Sequence, residues 1–239
     1  MPTNETEYHP YIAVGETIRA SRMIIGTFPI YSLTIPETQH KNQLQQRGDI
    51  SFFYGSKKNK FWRWYKEYID QDVQIENPQL ILKSLQNNCI AISDVIKECS
   101  RIDESFEDSK LRNIKWNLNL ASVIEERIDK IICTSKSASG AMGWLRDKVL
   151  IPAGFTINYE NSNKLHQKII SKLPQNNLQI RPIAQVLSNG SKKISIVALP
   201  SPGSPQRRLI DFGHVKEGSS TSSIYLQAYL SQTFNWFMQ

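Results

Sequence analysis

The sequence is poor in cysteine and histidine and has no long apolar run. Cys89, Cys99 and Cys133 are odd in number and scattered through 239 residues, which argues against a disulfide framework. They fall short of the four thiolates of an iron–sulfur cluster, and no His/Cys pair has zinc spacing, so no metal is expected. The expectation is small buried thiols. Four histidines without an evident serine partner, and the lack of a GxSxG elbow, give no catalytic triad. Neither GxxxxGK(S/T) nor GxGxxG occurs, which weakens nucleotide hydrolysis and dinucleotide binding, and no cofactor is expected. No apolar stretch approaches the roughly 20 residues that span a bilayer. The opening MPTNETEYHP lacks both the basic and the apolar part of a secretory signal. A cytoplasmic protein without membrane contact is the expectation.

What is present reads as an ordered globular chain, 40% apolar, with 29 Lys and Arg against 22 Asp and Glu, hence +7. The excess fits a polyanionic partner without requiring one. The length suits one domain over residues 1–239, two small domains being the alternative, and a monomer is expected. Four continuous apolar runs read as parallel strands covered on both faces: Met23–Gly26, Cys89–Ile92, Lys130–Cys133 and Ile194–Leu199. Helix-like segments lie between them at Lys60–Ile69, Asn117–Arg127 and Ser137–Lys148. Another spans the middle of Glu160–Asn177, with Leu165, Ile169, Ile170 and Leu173 as its face. A last one, Ser222–Phe237, offers Ile224, Leu226, Tyr229, Leu230 and Phe234 to the core. Ser188-Asn189-Gly190 between two extended runs predicts a β-hairpin leading into the last strand. The fold class is therefore α/β: a three-layer α/β/α sandwich with a central four-stranded, mainly parallel sheet plus a hairpin.

In such sheets ligands bind beyond the carboxyl ends of the strands. The segments there are Gly26-Thr27-Phe28-Pro29, Ser93-Asp94, Thr134-Ser135-Lys136-Ser137 and Pro200 to Arg208. Glycine, proline, small polar groups and cations converge on one edge.

The ordered set HPY, IIGTFP, FFYGSKKNKFW, IAISDVIKECSR and ALPSPGSP resembles the uracil-DNA glycosylase superfamily. The similarity is greatest to its hypoxanthine-DNA glycosylase-like branch, near the mismatch-specific uracil and thymine glycosylases. It covers residues 8 to about 101, the third strand with Lys136-Ser137, and the last-strand loop; residues 150–190 and the C-terminal helix match no pattern. The resemblance implies a monofunctional DNA glycosylase, which flips a deaminated or otherwise modified base from DNA and hydrolyses its N-glycosidic bond, in repair or in defence against modified phage DNA. Two other readings stay open: a nucleic-acid-binding module that has lost catalysis, and a nucleotide hydrolase on a Rossmann-like sheet.

By that resemblance, Asn59 stands in for the catalytic asparagine that the first loop lacks, where this chain has Phe28. Asn59 then positions water, or it caps the helix that follows, or does both. Phe28 stacks on the flipped base or packs beneath its loop. Tyr54 lines the pocket or is a core tyrosine, with Gly26, Thr27, Pro29 and Ser201 completing the binding loops. Asp94 needs a partner at a buried strand end: it accepts from the water or base edge, or it caps a helix. Ser93 replaces a bulky aromatic of the branch, which implies a roomier or more polar pocket and leaves the excised base open. Lys57, Lys58 and Lys60 face the DNA backbone, joined by Lys136-Ser137 at a helix start and by Arg207-Arg208. Pro202, Gly203 and Ser204 fill the gap left by the base, or form an ordinary connection. His214 has no assigned role and reads as structural.

Overall fold

The computed structural model describes residues 3–34, 48–103, 107–174, 182–205, 209 and 220–239. The chain opens with β1 (Thr3–Tyr8), α1 (Ile12–Glu16), β2 (Arg22–Gly26) and one helical turn, α2 (Tyr31–Thr34). Helices α3 (Phe61–Tyr68) and α4 (Pro78–Asn87) lead to β3 (Ile90–Asp94), which passes almost directly into β4 (Ile96–Arg101). Then come β5 (Leu111–Trp116), α5 (Asn119–Arg127), β6 (Lys130–Cys133) and α6 (Ala141–Trp144), the last continued by a π-helical stretch, Leu145–Leu150. The rest is β7 (Thr156–Ile157), α7 (Tyr159–Ile170), β8 (Ala184–Ser188), β9 (Lys193–Ala198) and α8 (Ser220–Met238).

Two sheets organise the fold. The larger has the order β3-β2-β6-β9-β8-β7. Its first four strands are parallel, β8 runs antiparallel to β9, and β7 in turn runs antiparallel to β8. All of β3 and the apolar cores of β2 and β6 are buried, as strands covered on both faces must be. The molecule is an α/β sandwich, as the apolar runs predict. The β8–β9 hairpin turns where Asn189-Gly190 predicts it, with Gly190 at φ +90°, a conformation that favours glycine.

The second sheet, β1-β4-β5, is antiparallel and has no counterpart among the predicted elements. Its strands TNETEY and LRNIKW are polar and carry no continuous apolar run. Helix α4 is also additional; Asn77 caps it, accepting from the N–H groups of Gln79 and Leu80, with Pro78 in its first turn.

Two side-chain expectations are corrected. Ile224 is exposed, and Tyr225 joins Leu226, Tyr229, Leu230 and Phe234 in the core. One residue of helix is a rotation of about 100°, enough to turn a side chain from core to solvent. Cys99 and Cys133 are buried, but Cys89 is exposed, in a turn with φ +51°. Among the described residues no helix is long and apolar enough to cross a membrane.

Candidate active site

The ends of β2 and β3 lie side by side, with Gly26 paired to Asp94. The next bonds continue the ladder, Val95 N–H to Gly26 O and Ile96 N–H to Thr27 O, each 3.1 Å. Only glycine fits at position 26. A Cβ there would stand 2.4 Å from Asp94 Oδ1 and 2.7 Å from the Tyr54 hydroxyl. Strand end, carboxyl and phenol thus converge on one point. Beside them lies a cavity of about 50 Å³. Phe28, Pro29, Ile30 and Leu33 line it from the first loop, and Tyr54, Gly55, Ser56, Asn59 and Asp94 complete it.

The segment from Phe52 to Trp62 is built to hold this wall. Trp62 Nε1–H donates to Phe53 O at 2.7 Å, and the Tyr54 and Phe61 rings pack at 4.6 Å. Ile50 N–H bonds Gly55 O, and a Cβ on Gly55 would lie 1.9 Å from Ile50 O. Tyr54 itself sits at φ +53°, a left-handed conformation that costs of order 1 kcal/mol for a bulky residue. The aromatic residues on either side therefore anchor a tight loop, whose exposed part is Lys57, Lys58 and Lys60. Asn59 is half-buried between them. Its Oδ1 accepts from Phe61 N–H, the first of α3, at 2.9 Å, although the N-cap position itself is Lys60, while its Nδ2 has no partner among the described residues.

Asp94 is buried, and its Oδ2 is bonded to His9 Nε2 at 2.8 Å. Its Oδ1 and the Tyr54 hydroxyl are both buried without a hydrogen-bond partner among the described residues. Such orphaned polar atoms are uncommon and mark strain, catalysis or a ligand site. Burial pushes the Asp94 carboxyl above its ordinary range, and the bond from His9 opposes that shift. The Tyr54 hydroxyl is also pushed well up, first by burial and then by the charge of Asp94. Gly26 N–H and the Tyr54 hydroxyl stand close enough to Asp94 to favour its ionised form, though neither is aligned for a hydrogen bond.

The first loop is locked from behind. Arg101 Nε donates to both oxygens of Glu7 at 3.0 Å, and both side chains are almost wholly buried. Arg101 also donates to Pro29 O, and its guanidinium lies 5.6 Å over the Phe28 ring. The His9 ring meets Phe28 edge-on at 5.6 Å. Phe28 is half-buried, so it both packs on the loop's support and presents a face to the cavity. The Thr27 hydroxyl is turned aside to Asp108 Oδ1 at 2.9 Å.

Of the predicted residues, Phe28, Pro29, Tyr54, Asn59 and Asp94 share the cavity and Gly26 abuts it. Ser93 does not. Its hydroxyl is fully buried and donates to Glu16 Oε1 at 2.7 Å, beside Asn117. Successive strand side chains point to opposite faces, so a residue next to Asp94 points away from the cavity and does not widen it. The helix start expected at Lys136-Ser137 is corrected too. The helix starts at Ala141, and Ser135 takes the N–H groups of Ala141, through Oγ, and Met142, through its carbonyl. Ser137 is exposed and Lys136 half-exposed.

In the last loop, Ser201 and Ser204 close a turn at 3.1 Å, with Pro202 buried and Gly203 exposed at the tip. Ser201 lies in that turn and does not line the cavity. Lys60 N–H donates to Pro202 O at 3.0 Å, which ties this loop to the lysine segment. Arg207, Arg208 and His214 lie outside the described residues. Among those described, no three His, Cys, Asp or Glu side chains cluster as metal ligands. His9 is the site residue that sequence reasoning left without a role. The available signal was its place in HPY, the first of the ordered motifs.

The fold and the site define an α/β protein with a small cavity, walled by apolar and polar side chains, at the carboxyl edge of its parallel strands, under a basic loop. No protein-family model matches the chain, and no solved structure does. A curated protein named hypoxanthine DNA glycosylase, from Methanosarcina barkeri (strain Fusaro / DSM 804), is 36% identical over 74 residues. The matched stretch is 29% of this chain and 46% of that protein, so the chain spans less than half of its relative's length. The relationship that this likeness supports is to a DNA glycosylase.

Proposed function

We propose that this protein is a monofunctional DNA glycosylase that flips a deaminated or otherwise modified base out of DNA and hydrolyses its N-glycosidic bond. One arrangement carries the reading: Phe28, Tyr54, Asn59 and Asp94 share a cavity directly beneath the loop of Lys57, Lys58 and Lys60. The likeness to a protein named hypoxanthine DNA glycosylase supports the same class.

In the reaction the sugar–base bond breaks, the base leaves with the electron pair, and the sugar becomes oxocarbenium-like. Water adds to the sugar carbon and gives up a proton, and the base gains one. Phe28 offers a flat face to the base. Asn59, with Oδ1 fixed by Phe61 N–H, keeps Nδ2 and a second oxygen lone pair for water or for a base oxygen. The orphaned Asp94 Oδ1 accepts the proton of the water or an N–H of the base. The exposed lysines neutralise flanking phosphates.

A cavity of about 50 Å³ is much smaller than the engineered cavity of roughly 150 Å³ that admits benzene. A base must displace loop side chains to enter. That favours a plain deaminated base, and so repair, over the bulky modified pyrimidines that a phage-defence enzyme would meet.

The test is product analysis on duplexes carrying uracil, hypoxanthine, xanthine, a thymine mismatch or modified cytosines, run in chelator. An abasic site is the expected product. Tight binding without product would point to a DNA-binding module, and cleavage of free nucleotides to a nucleotide hydrolase.

A further inference from the structure

His9 lies just past β1, with its side chain wholly shielded from solvent. The rings of Tyr11, Phe28 and Phe53 surround it at 6.0, 5.6 and 5.1 Å. Its hydrogen bonds determine where its proton sits. The backbone N–H of Tyr11 donates to Nδ1 at 3.1 Å, so Nδ1 bears a lone pair. A ring with both nitrogens accepting would be an anion, so Nε2 carries the proton and donates it to Asp94 Oδ2 at 2.8 Å. The imidazole is neutral, which suits an aromatic cage where a buried charge would be costly.

We propose that His9 is a positioning residue: it clamps Asp94 Oδ2, and thereby holds Oδ1 unpartnered at the wall of the cavity that Asn59 shares. The proposal rests on the glycosylase reading for what that oxygen does, but not for the clamp itself. A carboxyl bonded on one oxygen only is free to rotate about its last bond unless that bond is held. The nearby charged groups do not hold it. Glu7, on β1, bonds Arg101 and Thr34, Arg101, on β4, bonds Glu7 and Pro29, and the Tyr54 hydroxyl is not aligned for a hydrogen bond to it. Donation from His9 also favours the ionised carboxylate, the form that accepts a proton, against the burial that opposes it. The cage completes the device. Phe28 is at once a wall of the cavity and a wall of the cage, so the face offered to a base and the oxygen beside it are set by one ring.

Three measurements test this. Nitrogen-15 NMR of the imidazole in the full-length protein should report the neutral Nε2–H tautomer, with a signal that moves in Asp94→Asn. In single-turnover assays, His9→Phe keeps the volume and removes the donor. Base release should fall about 10- to 100-fold, the range seen when the hydrogen-bond partner that orients a metal ligand is lost, with DNA affinity unchanged. His9→Gln restores an N–H donor and should recover most of the rate. An Nδ1–H tautomer, which leaves Nε2 without a proton to donate, overturns the clamp, as does a folded His9→Phe protein with the wild-type rate. Equal loss in both variants alongside a lowered melting temperature overturns it too, leaving a packing role. If the wild-type protein releases no base from any duplex, the glycosylase reading fails instead. The tautomer then still decides the clamp.

Discussion

The backbone N–H of Lys60 donates to the carbonyl oxygen of Pro202 at 3.0 Å. One end of this bond belongs to the lysine loop that precedes α3, the other to the turn that follows β9. Two segments far apart in the chain are thereby fixed at one edge of the sheet, one carrying positive charge and the other a proline-flanked tip. A surface that grips a phosphate backbone while filling a gap in the base stack needs both parts in constant register.

The turn from Ser201 to Ser204 can be tested by its stiffness. Opening the stack costs a few kcal/mol, least where the base is unpaired. A turn that loses little entropy on insertion can fill the gap. Replacing Pro202-Gly203-Ser204 by three glycines is expected to slow base release strongly in duplex DNA and much less in single strands. Equal slowing in both would make the turn part of the cavity, and no slowing would remove it from the reaction.

Lys57, Lys58 and Lys60 are exposed, and no ion pair engages them among the described residues. If they meet phosphates, affinity falls with salt because counterions are released. Each lysine changed to glutamine should lower the slope of log affinity against log salt by about one unit. A triple variant with the wild-type slope would mean that the three charges are only solvated.

Asn59 holds two readings in one side chain, and two substitutions separate them. Asn59→Ala removes the acceptor for Phe61 N–H and should cost about 1 kcal/mol of stability, as for a lost cap. Asn59→Asp keeps that acceptor at a helix N-terminus, where negative charge is favourable, but brings a second carboxylate into the cavity of Asp94. Near-native stability with base release lowered by about a hundredfold or more is expected. Wild-type release in Asn59→Asp would reduce Asn59 to its capping bond.

The legible part of this protein is its buried sheet. Ile24-Ile25 and Ile131-Ile132 lie in continuous apolar runs because their strands meet helices on both faces. The aromatic cluster around Phe61 and the Asn189-Gly190 turn are equally local signals. The antiparallel sheet was not legible, because Thr3 pairs with Arg101 through strands that look like polar loop. The cavity was legible only in part. The loops at the strand ends could be found, but the His9–Asp94 bond joins residues 85 apart and has no local pattern. Ser93 was misread although a signal existed: in a strand, its neighbour Asp94 could face the cavity only if Ser93 faced away.

The Glu7–Arg101 pair sets up a prediction about support rather than chemistry. Both side chains are nearly without solvent. Removing one partner from such a pair strands the other charge and costs about 3–5 kcal/mol. Arg101→Met should show that loss in urea unfolding and, by freeing Pro29 and Phe28, should also lower base release. Adding Glu7→Gln should return much of the stability but not the activity, because Phe28 still lacks the guanidinium over its ring. Independent, additive losses would show that the two residues are not coupled.

Asp94 gives the last test, through the pH dependence of stability. Burial raises its pKa in the folded state, whereas in the unfolded chain it titrates near the ordinary aspartate value of about 3.9. The folded protein therefore binds this proton more tightly than the unfolded one. The contribution is fully present below the unfolded pKa and is lost as pH rises through the folded pKa. At neutral pH the ionised carboxylate is then a net cost, about 1.4 kcal/mol for each unit of separation between the two pKa values. Asn at position 94 does not titrate. Its oxygen can accept from His9 Nε2–H, while its NH₂ group faces the Tyr54 hydroxyl, so no new orphan is created. Asp94→Asn should accordingly be more stable than wild type at neutral pH, with the advantage shrinking as pH falls towards about 4, while base release drops. Urea unfolding of both proteins across this range measures the difference. A gap that stays constant with pH would mean that Asp94 titrates alike in the folded and unfolded chain. A gap that narrows would identify Asp94 as a carboxylate kept ionised at the expense of stability, as expected where the charge serves a reaction.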